Sequence, residues 1–373
     1  MQIDKLDRNM SVNTGAKDSQ ILWHDITQET DPCYSPDQNP FSLHGFAFYT
    51  ADRRFCRLPQ SIEPLLMQQR PQLASLMRHT AGGMIRFRTD SLKIHIQAEL
   101  QSSAYMSHMT PAGQCGFDCY LRAPGQHQWF LAGITKFPIH DKAYHCCVFT
   151  QPEKRLWEVM IYFPLYIGVD EVKIGLDSDA VIEKCNGFLR KGSIGFYGTS
   201  ITQGGCASRP GMAYPAILGR MLDCEVYNFG FSGNGMADPC LAPVLASIPG
   251  LKLLVVDVED NAGPNGVLEQ NLPVFLDAVR NVSGDLNVLV MSGVRPCREY
   301  WDNAYAEKKR FWHELQRNEV LRRREQGDNR ISFLDGLQDA GDDTIDGIHL
   351  TDLGFQKVAE ALYPVIQKTL AVF

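Results

Sequence analysis

Ser200 ends the run Ser193-Ile194-Gly195-Phe196-Tyr197-Gly198-Thr199-Ser200. The apolar stretch Ile194 to Tyr197 reads as a buried strand that stops at Gly198. A serine on a sharp turn at the carboxyl end of a parallel strand is held rigidly, as a nucleophile requires. The plainer reading is a serine that caps the next helix. Asp346 lies three residues ahead of His349 in Asp346-Gly347-Ile348-His349. At that spacing a carboxylate reaches the Nδ1 proton, fixes the tautomer and leaves Nε2 free as a base. A cap beside a packed imidazole has the same spacing. Gly233 sits in Asn228-Phe229-Gly230-Phe231-Ser232-Gly233-Asn234-Gly235, where glycines uncover backbone N–H groups that suit an oxyanion. A simple flexible turn is the alternative. Asn261 closes Asp257-Val258-Glu259-Asp260-Asn261 and brings a side-chain amide to the same edge. Each feature alone is weak, but four of them at strand ends are hard to dismiss together.

The elements that must position these residues change character near residue 190. Beyond it, five apolar runs recur: Ile194 to Tyr197, Val226 to Phe229, Leu253 to Val258, Val288 to Met291 and Ile331 to Leu334. Helical stretches separate them, near 212–222, 239–247, 267–282, 304–325 and 353–369. Such alternation predicts βαβ units and a five-stranded parallel sheet covered on both faces. In the fourth helix Phe311, Trp312 and Leu315 fall at core-facing spacing, and Arg322-Arg323-Arg324 reads as a solvated C-terminal end that suits the helix dipole. Before residue 190 the chain shows short strands, among them 44–49, 84–87, 92–100, 116–122, 128–132, 146–150, 158–162 and 171–176. Alternation is plain in Lys93-Ile94-His95-Ile96-Gln97-Ala98, and turns such as Ala81-Gly82-Gly83 separate the strands. This pattern predicts an antiparallel β-sandwich. The stretch from Ile62 to Met77 reads as helix kinked at Pro71.

The 373 residues, 44% hydrophobic and 21% charged, suffice for two cores. We therefore expect a frayed terminus over 1–20, a sandwich domain over 21–190 and an α/β domain over 191–373. A net charge of −7 argues against a general nucleic-acid or anionic-membrane binder, and no apolar run approaches a bilayer span. The eleven cysteines follow no repeated spacing and read as free thiols. With no signal-like segment at the start, cytoplasmic localisation is expected. His145, Cys146 and Cys147 lack zinc-ligand spacing, and strand alternation splits Asp257, Glu259 and Asp260 between faces, against a Mg²⁺ site. Cys206 reads as a buried small residue rather than a second nucleophile. No cofactor or metal is expected, and no dinucleotide fingerprint follows any of the strands.

These blocks resemble those of the SGNH (GDSL-type) hydrolases, whose fold is a five-stranded parallel sheet in flavodoxin-like α/β/α layers. Gly198-Thr199-Ser200 is similar to their first block, with Thr199 where aspartate is commonest. Gly233 falls at the oxyanion glycine, Asn261 at the oxyanion asparagine, and Asp346 and His349 match the final Asp-x-x-His. In the third block Glu259-Asp260 replaces the usual small residues. Gly116-Phe117-Asp118-Cys119-Tyr120 is similar to the Gly-x-Asp-Leu-Tyr signature of a subfamily with an N-terminal β-sandwich, with Cys119 for leucine.

The resemblance implies a serine esterase with the triad Ser200, His349 and Asp346 and an oxyanion hole of Ser200, Gly233 and Asn261. The substrate would be a small-molecule or carbohydrate ester. An acyltransferase using the same acyl-enzyme and a non-catalytic carbohydrate-binding protein are the alternatives. Arg209, Glu259 and Asp260 around the nucleophile predict a polar rim, and with it a preference for short acyl groups, acetyl above all. Asp118 is read either as a structural turn residue or as a rim contact.

Overall fold

The computed structural model describes residues 20–29, 39–335 and 341–370; most of the stretch expected to be frayed lies outside them. Contacts divide the chain into two compact units. The first holds the described residues up to Cys56 together with Arg78–Gly187 and Ser208–Gly211; the second holds Arg57–Met77, Phe188–Ala207 and the described residues from Met212 on. The passage from Gly187 to Phe188 falls near residue 190, while 57–77 and 208–211 each group with the unit on the other side of that point in sequence.

The first unit is a pair of antiparallel sheets. Its strands are β1 (Ile21–Asp25), β2 (Ser42–His44), β3 (Met84–Thr89), β4 (Lys93–Leu100), β5 (Asp118–Arg122), β6 (Phe130–Ile134), β7 (Ala143–Thr150), β8 (Trp157–Tyr162), β9 (Val169–Asp177) and β10 (Ile182–Glu183). One sheet runs β1-β9-β4-β7; the other runs β10-β3-β8-β5-β6, with β2 beside β3. Alternation does the work expected of it: Ile94, Ile96 and Ala98 of β4 and Val172, Ile174 and Leu176 of β9 join Ile85, Phe87, Val159 and Ile161 in one core. The strand expected over 44–49 stops at His44. Gly45 turns the chain with φ 78°, and Tyr49–Asp52 forms a single helical turn. Phe46 is buried from the loop and Tyr49 from this helical turn, neither from a strand.

Asp118 opens β5 and is fully buried. Its Oδ2 accepts the Gly211 N–H at 2.7 Å, with Arg209 Nε at 3.7 Å. A Cβ on Gly211 would lie 2.5 Å from the Tyr120 ring. The aspartate and tyrosine of the signature therefore seat the short segment Ser208–Gly211, the aspartate by a charge-assisted hydrogen bond and the tyrosine by shape.

The second unit carries one parallel sheet of five strands, β11 (Ser193–Gly198), β12 (Glu225–Gly230), β13 (Leu251–Asp257), β14 (Asn287–Met291) and β15 (Ile331–Leu334), in the order β12-β11-β13-β14-β15. All five expected strands are present. The three central strands, β11, β13 and β14, are buried through their centres, as a sheet covered on both faces requires, while the edge strand β15 is only partly buried. Helix Tyr214–Leu222 packs with Asp352–Leu370, and Ala242–Ala246 packs with Leu268–Val282. The chain leaves β11 toward β12 but leaves β13 toward β14, so neighbouring strands β11 and β13 connect in opposite directions. Between their carboxyl ends lies the crevice where open α/β sheets bind ligands.

Two details of the long helix Asn303–Glu325 correct the sequence reading. Its buried face runs through Lys309, Trp312, Gln316, Val320 and Arg323, while Phe311 is exposed. Arg323 does not solvate the helix end: it is buried on Glu319, Asp277 and the Pro273 carbonyl. Pro71 breaks the helical stretch rather than kinking it. Glu63–Gln69 ends at Arg70, and Pro71 starts Pro71–Leu76 at the first position, where its missing N–H is not needed.

Candidate active site

Ser200 follows β11 on the turn Gly198-Thr199 and opens a one-turn helix, Ser200–Gln203, capped by the Thr199 hydroxyl. The turn is crowded, since a Cβ on Gly198 would lie 2.1 Å from Thr202 Oγ1 and 2.7 Å from the Asp257 carbonyl. Glycine is needed there for space, and the serine beyond it is fixed in place.

His349 Nε2 lies 2.9 Å from Ser200 Oγ, and its Nδ1 lies 2.7 Å from Asp346 Oδ2. The other carboxylate oxygen, Oδ1, accepts the N–H groups of Ile348 and His349 at 3.0 and 2.8 Å. Gly347, with φ 87°, closes this turn, and an Ile345 N–H to His349 carbonyl bond of 2.8 Å ties its ends. Burial raises the Asp346 carboxyl, but the hydrogen bonds from His349 outweigh it and hold the group below its ordinary value. The aspartate is thus an anion that fixes the Nδ1–H tautomer and leaves Nε2 to accept from the serine.

Gly233 sits exposed after β12 with φ 67° and nothing within 4 Å of where a Cβ would stand. Its turn is held on all sides: the Phe231 N–H donates to the Gly198 carbonyl at 2.9 Å, and the Ser232 N–H to Gln203 Oε1 at 2.9 Å. Asn261 follows β13, and its Oδ1 accepts the Gly235 N–H at 3.1 Å. A backbone N–H can only meet the amide oxygen, so Nδ2 is left as the donor. The four sequence blocks therefore converge within the second unit at the carboxyl ends of β11, β12 and β13, with Asp346 and His349 on the loop before the last helix.

Several residues that shape this edge were silent in the sequence. Arg57 is buried, donates to the Gly230, Asn228 and Leu76 carbonyls, and stacks 4.5 Å from the Phe231 ring centre. Arg70 pairs with Asp238 and reaches Asn234 Oδ1 at 3.2 Å. Both brace the Gly233 turn from the 57–77 segment. Lys309 Nζ is buried between Glu259 Oε1 at 2.5 Å and Asp260 Oδ1 at 2.7 Å. Burial opposes its charge, yet the two carboxylates outweigh that and hold it charged above its usual value. Asp257 points elsewhere, accepting from Thr202 Oγ1 at 2.9 Å, and burial first, then the Asp260 charge, push it to about 7. Only a helical charge pattern, Lys308-Lys309-Arg310, preceded this, and it does not tell a buried lysine from a solvated one. The expected polar rim takes another form as a result: Glu259 is turned into the Lys309 pair, and Arg209 meets Asp118. Burial pushes the Cys206 thiol up to about 11, which disfavours its thiolate.

Residues 191–367 match the model of the GDSL-like lipase/acylhydrolase family, and residues 33–182 match that of the GxDLY domain, the N-terminus of SGNH-hydrolase-type esterases. The chain thus carries a GDSL-like lipase/acylhydrolase domain behind a GxDLY domain. The hydrolase is similar in structure to a GDSL-like lipase from Bacteroides ovatus, at 26% identity and TM-score 0.83, over 94% of this chain and 98% of the other. Two further likenesses support the fold. The salicylyl-acyltransferase SsfX3 from a tetracycline biosynthetic pathway is 17% identical, with TM-score 0.71 over 95% and 98% of the two chains. A family two carbohydrate esterase from Cellvibrio japonicus is 13% identical, with TM-score 0.59 over 94% and 98%. No curated protein matches the hydrolase. It is a carboxylic ester hydrolase by family, and among the described residues no helix is long and apolar enough to cross a membrane.

Proposed function

We propose that the protein hydrolyses esters of compact acyl groups through an acyl-enzyme on Ser200. The observation that carries this reading is the continuous chain Ser200 Oγ, His349 Nε2, His349 Nδ1, Asp346 Oδ2, with both contacts at hydrogen-bond length. His349 Nε2 takes the hydroxyl proton as Ser200 Oγ bonds to the ester carbonyl carbon, and Asp346 stabilises the imidazolium. The negative oxygen of the tetrahedral intermediate is met by the backbone N–H groups of Ser200 and Gly233 and by Asn261 Nδ2. His349 then gives its proton to the departing alcohol. Water, deprotonated by the same nitrogen, attacks the acyl-enzyme and releases the acid and free serine.

The carbohydrate esterase from Cellvibrio japonicus and the salicylyl-acyltransferase share the fold, and lend weight to an ester substrate whose alcohol is a sugar or another polar small molecule. Binding without catalysis would not require the serine and imidazole to be aligned in this way. The test is turnover of acylated sugars and simple esters by wild type, Ser200→Ala and His349→Ala. We expect both variants to lose more than 99% of the activity while unfolding at the wild-type temperature. Retention of activity by Ser200→Ala would move the chemistry to another residue. An alcohol acceptor that outcompetes water for the acyl group would mark a transferase.

A further inference from the structure

We infer that the acyl side of the substrate is a compact branched or aromatic group rather than acetyl. This deepens the ester-hydrolase reading of the Ser200 site and rests on it. A cavity of about 240 Å³ lies within the second unit, and part of its wall comes from residues adjacent in sequence to that site. Three of its lining residues are chain neighbours of the three side chains in question: Ile201 follows Ser200, Ile348 precedes His349, and Asp260 precedes Asn261. The opposite wall is Val294, Pro296 and the Tyr305 ring, with Pro264 at the edge.

The stretch from Val294 to Glu299 divides between two cavities. Val294 and Pro296 line this cavity, while Arg295 and Glu299 line a separate one of about 290 Å³, together with Lys309, His313 and Asp335. The two charged residues that do reach the first cavity are already engaged. Asp260 is paired with Lys309, and Arg298 is bound through Nε and Nη2 to Asp302 at 2.9 and 2.7 Å and stacked on Tyr305 at 4.6 Å. A sugar placed there would lose its water against mostly aliphatic and aromatic walls, with both charged groups already paired. The apolar acyl group loses nothing, so the cavity holds the acyl side and the polar alcohol leaves by another route.

Size then narrows the acyl group. An apolar cavity of roughly 150 Å³ suffices for benzene. Here about 240 Å³ takes a phenyl ring or a branched chain of four to six carbons. An acetyl methyl would leave most of the cavity unfilled and forfeit the contacts its walls offer. The volume lies below the usual range of roughly 300–1,000 Å³ for drug-sized ligands, which excludes a long lipid chain lying wholly inside.

The experiment holds one alcohol constant and varies the acid through acetyl, isobutyryl, benzoyl and octanoyl, reading kcat/KM on the full chain. We expect isobutyryl or benzoyl to exceed acetyl by at least tenfold. Val294→Phe, which fills the cavity, should lower the benzoyl-to-acetyl ratio of kcat/KM tenfold or more. Acetyl equal to or better than the bulkier acids in wild type would overturn the inference, whether or not Val294→Phe folds. A parallel Ser200→Ala series separates the two levels. If that variant still turns esters over, the reading of the site itself falls; if it is inactive and acetyl still leads, only the acyl assignment falls.

Discussion

The fully buried Asp257 carboxyl makes stability depend on pH in a direction opposite to most carboxylates. The group titrates near 7 in the fold against 3.8 in its ordinary state. Because the folded pKa is the higher one, protonation favours the fold. That contribution is complete below pH 3.8 and is lost as pH rises through about 7. At about 1.36 kcal/mol per pH unit, the gap between those two values corresponds to roughly 4 kcal/mol lost between about pH 4 and pH 9. The Asp257→Asn amide would keep an acceptor for Thr202 Oγ1, which lies 2.9 Å from the carboxylate, but cannot ionise. Denaturant unfolding of wild type and Asp257→Asn at pH 5, 7 and 9 is the assay. The variant should gain on wild type by about 2–4 kcal/mol between pH 5 and 9, and taking the difference removes every other titrating group. A difference that stays flat across that range would refute the reasoning, since it would mean that the carboxyl is already ionised in the fold at pH 5.

Three further perturbations follow from the geometry. Asn261→Ala should lower kcat by about 10²–10³, or roughly 2.7–4 kcal/mol, with KM nearly unchanged, because Nδ2 would act on the oxyanion and not on bound ester; steady-state kinetics on one ester checks this. Asp346→Asn keeps an acceptor for the Ile348 and His349 N–H groups but loses the anion at Nδ1, so kcat should fall by about 10²-fold or more at unchanged melting temperature. Asp346 titrates below its ordinary 3.8, so its charge is present above that value and lost only as pH falls through it, and the acid limb of the wild-type rate profile near neutrality should belong to another group. Arg57→Met removes charge-assisted donors from the Gly230, Asn228 and Leu76 carbonyls; about 3–5 kcal/mol of stability should go with them, read as a melting temperature lower by roughly 6–15 °C.

The parallel sheet was legible because its strands are short, mainly apolar runs flanked by glycine or polar turns, and the central ones are buried on both faces. The triad was legible for a local reason: Asp346 and His349 sit on one turn, so spacing alone implies their contact. Ser200 to His349 is a contact across 149 residues, and only the resemblance joined them in advance. What stayed hidden depends on partners far away in sequence. Lys309 looks like any helical lysine until Glu259 and Asp260 are brought against it. The 57–77 helices carry an ordinary amphipathic pattern, and nothing local says that Arg57 and Arg70 are to meet carbonyls and carboxylates near residues 228–238. Phe311 was misplaced because three large apolar residues in five fit more than one helix face, and burial chose the face through Trp312.

The interleaving of the chain between its two units sets a schedule for its synthesis. Arg57 must wait for Gly230, 173 residues later, and Arg70 for Asp238, 168 residues later. At about 5–20 residues per second on a ribosome, the 57–77 helices spend roughly 9–35 s without the sheet they will brace. The first unit waits as well, because Asp118 receives the Gly211 N–H only after the nucleophile turn has emerged. Neither unit is complete before the other has begun, so a nascent chain stalled near residue 190 carries the 57–77 helices without the sheet they brace and Asp118 without the Gly211 N–H. That intermediate is the species a chaperone would meet, and it makes the order of translation part of how this hydrolase reaches its fold.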